Sequence, residues 1–297
     1  MRKLFLLIVI FCVTLMVKAD EGMWLLKELN SQSIARMQEL GFTMPVEKLY
    51  SDDNPSLKDA VVIFGGGCTG VAVSEQGLIF TNHHCGFGAI QKLSAVEHDY
   101  LKDGFVANNI NDELYSDGLT VSFLRSMEDV TERILPNIPP VLSEIQIELA
   151  IDSISEELIK EYEKDPFTNA RVVPFYSRNK YYVVLYDVFR DVRLAATPPQ
   201  SVGKFGGDTD NWMWPRHTGD FSVFRVYADK DNNPTNYSED NIPYKPKYVV
   251  PVSLAGVKEG DYSMTVGYPG STQRYMSSWG ISQRVESENS PRIEVRG

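Results

Sequence analysis

The sequence has few cysteines and a shortage of positive charge. Three cysteines occur in 297 residues, and 29 lysines and arginines stand against 40 aspartates and glutamates, which gives a net charge of −11. This acidic balance argues against nucleic acid and anionic membranes as partners. We find no low-complexity segment and no internal repeat, and the length allows one large domain or two small ones.

Long hydrophobic runs are also scarce. The exception, Leu4 to Val17, is short for a membrane span, although a membrane anchor is the alternative interpretation. Arg2 and Lys3 precede it and Val17-Lys18-Ala19 follows, so residues 1–19 are predicted to be a signal peptide. Its removal takes away three basic residues and no acidic one, moving the net charge from −11 to −14. We expect an exported protein, periplasmic, secreted or at the cell surface, with no membrane span after signal removal.

The two cysteines outside that segment flank a predicted hairpin. Cys68 follows the turn Gly65-Gly66-Gly67, and Cys85 comes 17 positions later, just after the predicted strand Leu78–Thr81. Two cysteines in an exported chain predict one disulfide, and a hairpin of this length can bring its ends together. A Cys68–Cys85 bridge would fix the backbone on which His84 sits.

Periodicity predicts further elements around this hairpin. Apolar residues at helical spacing indicate helices, and alternating runs rich in Val, Tyr and Phe indicate strands. The predicted helices are Asp20–Leu40, Ala89–Asp99 and Ser143–Lys164. The predicted strands are Ala60–Phe64, Leu78–Thr81, Leu119–Arg125, Arg171–Tyr176, Tyr181–Leu194, Tyr248–Leu254 and Ser263–Tyr268.

The stretch Thr81-Asn82-His83-His84-Cys85 resembles the histidine corner of chymotrypsin-like serine proteases. His84, the residue before the cysteine, matches the position of the general base. The alternative is a surface histidine pair beside a structural disulfide. A metal site is disfavoured, because neighbouring residues of a strand point to opposite faces.

A polar, glycine-rich segment with several aromatics leads into Asp220 and the alternating strand Phe221-Ser222-Val223-Phe224. This strand resembles the one that carries the triad carboxylate in chymotrypsin-like enzymes. A buried carboxylate there would accept the far N–H of the histidine and stabilise the imidazolium formed in proton transfer. The alternative is a turn aspartate after Gly219.

Together, the motif at Thr81–Gly86, the motif at Asn211–Phe221 and Gly267-Tyr268-Pro269-Gly270 resemble the bacterial dipeptidyl-peptidases seven and eleven. The resemblance covers almost the whole mature chain. It implies a mostly β fold with added helices, a chymotrypsin-like double β-barrel of which only the first part is present. The barrel region would span residues 20–275, and residues 276–297 would begin an inserted helical domain.

The same resemblance implies release of dipeptides from the free N-terminus of peptides, with no cofactor. His84 would be the general base and Asp220 its orienting carboxylate. Asn211 and Trp212 match positions that help to hold the α-ammonium group of the substrate, for which amide and carbonyl oxygens are suitable acceptors. Members of the family are typically homodimers, which is the expectation for the full-length protein.

One feature of the family is absent from this sequence. The family nucleophile lies in a Gly-Asn-Ser-Gly-Ser-like loop, and no Gly-x-Ser-Gly element occurs here. Histidine and aspartate without a serine cannot form an acyl-enzyme, so we expect this chain alone to be inactive. Two alternatives remain open: a catalytically inactive peptide-binding fragment, and a trypsin-like periplasmic endopeptidase.

Overall fold

The computed structural model describes residues 23–139, 141–210, 213–270 and 276–296. Within these residues, eleven strands form one sheet in which every paired strand is antiparallel, and helices pack around it. The predicted fold class, mostly β with added helices, is confirmed. The strands are β1 (Val61–Phe64), β2 (Cys68–Ala72), β3 (Leu78–Thr81), β4 (Phe105–Val106), β5 (Leu114–Tyr115), β6 (Val121–Asp129), β7 (Thr168–Phe175), β8 (Lys180–Phe189), β9 (Asp191–Thr197), β10 (Ser222–Ala228) and β11 (Ile242–Pro243).

The helices are short, with one exception of 19 residues. The described α-helices are α1 (Ser31–Glu39), α2 (His83–Leu93), α3 (Tyr100–Asp103), α4 (Thr131–Ile134), α5 (Glu144–Tyr162), α6 (Gln200–Gly203), α7 (Gly207–Asp210), α8 (Ser278–Gln283) and α9 (Ser290–Arg296). A π-helical segment, Arg284–Asn289, joins α8 to α9. The 3₁₀ turns are Leu26–Glu28, Val46–Lys48, Leu57–Asp59, Ile110–Asp112 and Leu135–Asn137.

The order of the strands determines which distant parts of the chain meet. The main path is β4-β9-β10-β3-β2-β1-β6-β8-β7, with β5 beside β9 and β11 beside β10. Strand β3 therefore lies between its hairpin partner β2 and the distant β10. In the β3–β10 register Thr81 is opposite Ser222. The segments that immediately follow β3 and precede β10 are thus at the same edge of the sheet.

Strand β8 is buried on both faces, so its sequence Tyr181 to Leu185 does not alternate in polarity. Tyr181, Val183 and Leu185 face a cluster that includes Leu158 of α5. Tyr182 and the other residues of the opposite face pack with Ile63 and Tyr268. The largest apolar cluster lies on β1, β3, β9 and β10, beneath α2.

The predicted strand Leu78–Thr81 has the expected boundaries, whereas the single strand predicted over Tyr181–Leu194 is wrong, since two strands, β8 and β9, occur there. Helix α5 begins after Ser143, whose hydroxyl accepts from the Gln146 backbone in a capping box, as the predicted Ser143–Lys164 helix requires. No strand occurs over Tyr248–Leu254 or over Ser263–Tyr268. Val250 donates one backbone hydrogen bond to Ala72 and Tyr268 donates to the Thr69 side chain, contacts that do not form a ladder.

The predicted N-terminal helix and the predicted helix at Ala89 both have different limits. Of Asp20–Leu40, the described part is a 3₁₀ turn followed by α1. The helix predicted to begin at Ala89 begins instead at His83. The predicted signal peptide, residues 1–19, lies outside the described residues. Among the helices that the structure describes, none has the length and apolar character needed to cross a bilayer.

Candidate active site

The β2–β3 hairpin forms the base of the candidate site, and its turn requires a glycine. Gly77 has φ +69°, and a β-carbon there would lie 2.7 Å from the Val226 carbonyl oxygen and 2.9 Å from the Tyr244 carbonyl oxygen. An L side chain would be strained in this backbone conformation and would also clash with backbone atoms. Gly77 thus allows the hairpin to lie tightly against β10.

The two cysteines outside the predicted signal peptide are bonded to each other. Cys68 begins β2 and Cys85 lies in the first turn of α2, with 6.1 Å between their Cα atoms. The bridge joins the start of the hairpin to the helix that follows it. It therefore restrains the backbone on both sides of His84.

His84 lies on a helix and not on the end of a strand, which corrects the expected arrangement. β3 ends at Thr81, Asn82 is the N-cap residue, and α2 begins at His83. The first turn of α2 packs tightly on β10, since a β-carbon at Gly86 would lie 2.6 Å from the Ser222 hydroxyl oxygen. The Ser222 hydroxyl also donates to the Asn82 carbonyl at 2.9 Å.

His84 and Asp220 form a two-point contact, although 136 residues separate them in the sequence. His84 Nδ1 donates to Asp220 Oδ2 at 2.8 Å, and the His84 backbone N–H donates to Oδ1 at 3.1 Å. The Asn82 amide nitrogen donates to Oδ2 and to the Asp220 carbonyl, both at 3.2 Å. With Nδ1–H engaged, the neutral His84 ring has Nε2 as a proton acceptor.

The electrostatics favour the ionised carboxylate of Asp220. Burial raises the pKa of Asp220, but hydrogen bonds from the backbone and ring of His84 outweigh it and hold the pKa below its usual 3.8. The N-terminus of α2 also favours a negative charge at this position. The carboxylate was expected to be buried, yet the Asp220 side chain is 30% exposed and that of His84 is 70% exposed. The acceptor side of the imidazole is consequently open to an approaching group.

Cys68, His84 and Cys85 offer ligand atoms within 4.8 Å of one another. Because both sulfurs are in the disulfide, neither can serve as a thiolate ligand. The prediction that His84 and Cys85 point to opposite faces of a strand is wrong, since both residues lie in α2.

The site contains contacts that the motif alone does not reveal. Asn82 holds both the carboxylate and the carbonyl of Asp220, and its place as the N-cap before the histidines was the available signal. His83 also makes a contact that the motif does not reveal, because it is buried with its ring against Gly203. The predicted substrate-binding residues Asn211 and Trp212 lie outside the described residues. Among the serines that the structure describes, none has its hydroxyl hydrogen-bonded to the His84 ring.

An antiparallel, sheet-rich domain that holds a histidine against an aspartate next to a disulfide has the character of a barrel-like peptidase. The sequence profile of the family Peptidase S46 matches residues 19–297. The chain belongs to the peptidase S46 family, which confirms the resemblance to bacterial dipeptidyl-peptidases.

Two similar proteins carry different names. Dipeptidyl-peptidase 7 of Porphyromonas gingivalis is 58% identical over 280 residues, which are 94% of this chain and 39% of that protein. The Asp/Glu-specific dipeptidyl-peptidase of Porphyromonas endodontalis is 47% identical over 297 residues, 98% of this chain and 41% of that protein. The chain thus spans about two fifths of the length of these relatives.

A solved structure is similar in three dimensions as well. The crystal structure of Porphyromonas endodontalis DPP11 in complex with substrate superposes with a TM-score of 0.86 at 47% identity, covering 94% of this chain and 41% of that one. A match at this level supports the same fold over the shared region.

Proposed function

We propose that this chain is the N-terminal portion of a serine-type dipeptidyl aminopeptidase, which releases dipeptides from the free N-terminus of peptides. The observation that carries the proposal is the pairing of His84 with Asp220 at 2.8 Å, with the opposite face of the ring open. The names of the relatives support the same activity. The serine nucleophile would come from sequence outside these 297 residues.

In the proposed reaction His84 transfers one proton in each of the two half-reactions. Its Nε2 takes the proton of the serine hydroxyl as the serine oxygen bonds to the peptide carbonyl carbon. The imidazolium then gives that proton to the leaving amine as the C–N bond breaks. In the second half-reaction His84 takes a proton from water as the water oxygen bonds to the acyl carbon, and it gives this proton to the serine oxygen as the ester bond breaks. Asp220 holds the imidazole in the tautomer with Nδ1–H and stabilises its cationic form.

The proposed substrates are oligopeptides with a free N-terminus. Asn211 and Trp212 are proposed to hold the α-ammonium group, because the motif that contains them carries the family resemblance. No cofactor enters this chemistry. The relatives include a dipeptidyl-peptidase 7 and an Asp/Glu-specific enzyme, so the preference at the second substrate residue is left open here.

We further propose that the protein acts after export, in the periplasm or outside a bacterial cell, and that its full-length form is a homodimer. The charged and apolar pattern of residues 1–19 supports export, as does the disulfide beside His84. Residues 20–275 would form the barrel region. The helical character of 278–296 supports an inserted helical domain that begins at residue 276.

The experiment uses the full-length protein and two peptides that differ only in acetylation of the N-terminus. Dipeptide release from the free peptide, and none from the blocked one, is expected. Asp220→Asn should lower kcat by about 10⁴-fold, because the amide favours the wrong histidine tautomer, and His84→Ala should be at least as damaging.

The outcomes separate the alternatives. Retained dipeptide release in both variants would exclude His84 and Asp220 as catalytic groups. Cleavage of the blocked peptide at internal sites would indicate an endopeptidase. Calorimetric binding of free but not acetylated peptide without turnover would indicate a peptide-binding protein.

A further inference from the structure

The first two residues of α2 are histidines, His83 and His84, and their environments are opposite. The His84 side chain is 70% exposed, whereas His83 is 1% exposed. The His83 Nε2 atom is buried and has no hydrogen-bond partner among the residues that the structure describes. The buried ring therefore contributes its shape to the site more than its hydrogen-bonding capacity.

The His83 ring contacts the backbone of the short helix α6. A β-carbon at Gly203 would lie 2.4 Å from Cγ, 2.5 Å from Cδ2 and 2.8 Å from Nδ1 of His83. Real β-carbons do not approach atoms this closely, so only glycine allows α6 to lie on the imidazole at its present distance.

Helix α6 in turn holds the residue before Asp220. The Gly219 backbone N–H donates to the Val202 carbonyl at 3.0 Å. A β-carbon at Gly219 would lie 2.8 Å from Val202 Cγ1, so this contact is also close. Packing is thus continuous from the His83 ring through Gly203 and Val202 to Gly219, and Asp220 follows directly.

We propose that His83 is a positioning residue, whose buried ring sets the distance of α6 from α2 and thereby places the Asp220 carboxylate against His84. The contact depends on steric fit, because the flat imidazole of His83 packs against the backbone of Gly203, which has no side chain. The effect of His83 on catalysis rests on the proposed function, whereas the position of the Asp220 carboxylate relative to His84 can be measured without turnover.

The first test adds one methyl group to the contact in the full-length protein. Gly203→Ala should push α6 from the ring, and a displacement near 1 Å should lower kcat/KM by about 100-fold, mainly in kcat. Gly88→Ala is the matched control, since it lies in α2 with no atom within 4 Å of the added carbon. The control should keep the wild-type kcat/KM. Turnover is expressed per folded molecule, measured by circular dichroism.

The second test removes the ring that the methyl group meets. His83→Ala alone should also lower kcat, because α6 loses its support. Gly203→Ala combined with His83→Ala should recover at least about tenfold of kcat/KM over Gly203→Ala alone, since contacting residues give non-additive effects. Losses that simply add would overturn the proposal, as would wild-type kinetics in Gly203→Ala.

A readout without turnover separates this inference from the proposed activity. The His84 Nδ1 proton bound to Asp220 should give a downfield resonance in the proton spectrum of the wild type. That resonance should shift or vanish in Gly203→Ala, return in the double variant and be unchanged in Gly88→Ala. An inactive wild-type protein with this pattern would defeat the proposed function and keep His83 as a positioning residue. An unchanged resonance in Gly203→Ala would defeat the inference.

Discussion

At the scale of single residues, burial shifts the pKa values of His83 and Asp220 in opposite directions. Burial lowers the pKa of His83, and the nearby His84 lowers it further, while the Asp220 charge raises it in part, so the net pKa lies below the usual 6.5. Burial raises the pKa of Asp220, but its hydrogen bonds to His84 lower it below 3.8. At neutral pH the structure therefore favours a neutral His83 beside an ionised Asp220.

We expect the wild type to lose stability between pH 7 and pH 5 because of His83. The unfolded chain takes up a proton near pH 6.5 that the folded protein binds only at lower pH, so the free energy of unfolding falls as the pH drops. His83→Gln lacks this proton uptake. The difference in unfolding free energy between wild type and His83→Gln should therefore narrow from pH 7 to pH 5, as measured by urea unfolding.

The titration of other groups does not mask the effect of His83 between pH 7 and pH 5. Asp220 has a lowered pKa, so its stabilising effect is present above pH 3.8 and is lost only as the pH falls through its folded-state pKa. The remaining histidines are the same in both proteins. Parallel stability curves for the two proteins would contradict the prediction.

The candidate site could be predicted in part from the sequence. The spacing of Cys68 and Cys85, and the position of His84 before Cys85, indicated a candidate base beside a disulfide. The contact between Gly203 and His83 was not predictable, because 120 residues separate them and the motif that contains His83 does not indicate what its side chain contacts. Such contacts follow from the packing of distant segments, which periodicity does not encode.

At the scale of elements, a largely buried arginine on the interior strand β10 connects that strand to neighbouring segments. The Arg225 side chain on β10 is 12% exposed and donates to Glu113, which is 3% exposed, at 2.8 Å. The Tyr227 hydroxyl donates to the same carboxylate at 2.8 Å, and Arg225 also donates to the Gln76 carbonyl at 2.7 Å. These contacts connect β10 to the β2–β3 turn and to the segment before β5.

Arg225→Met should destabilise the protein strongly, because it leaves the Glu113 carboxylate buried without its cation. The expected loss is about 3 kcal/mol in the free energy of unfolding, measured by urea unfolding. Arg133→Met is the matched control. Arg133 pairs with Glu161 at 2.6 Å, but the two side chains are 45% and 53% exposed.

The control should change the stability little, since solvent screens an exposed pair. Equal losses in the two variants would mean that burial of the Glu113 carboxylate contributes nothing to the cost. A stabilised Arg225→Met would mean that the packing of the methionine outweighs the unpaired charge.

Element types were predictable where one pattern dominated. The apolar stripe of α5 and its Ser143 cap are local signals, and the helix forms where they indicate. The sequences at 248–254 and 263–268 have strand-like composition, but strands also need neighbours. The long helix expected from the apolar residues of 20–40 is a shorter α1, since Asn30 caps a helix that begins at Ser31.

At the scale of the whole molecule, the curated relatives are much longer than this chain. The two relatives described above are matched over 39% and 41% of their lengths. The proposed chemistry also needs a serine that the motifs of this chain do not supply. Under the proposed function, the remaining half of the active site would therefore lie in additional sequence.

The intact protein in its source cells should therefore be considerably heavier than 33.5 kDa. Antibody capture against residues 23–139, followed by intact-mass spectrometry, measures this directly. A serine-directed phosphonylating reagent should label the heavier product at a residue outside this chain. A product with the mass of residues 20–297 would contradict the proposed peptidase activity and leave a peptide-binding protein.

The position of β10 beside β3 has a consequence for how the protein is made. Cys68 and Cys85 are 17 residues apart in the sequence, so they can come into contact early in folding. Asp220 is 136 residues from His84, so their contact requires the chain between them to fold first. Contacts of such long range form late in folding. A chain in which β10 has not yet joined β3 consequently holds His84 without its carboxylate partner, so the His84–Asp220 pair forms only when this part of the sheet is complete.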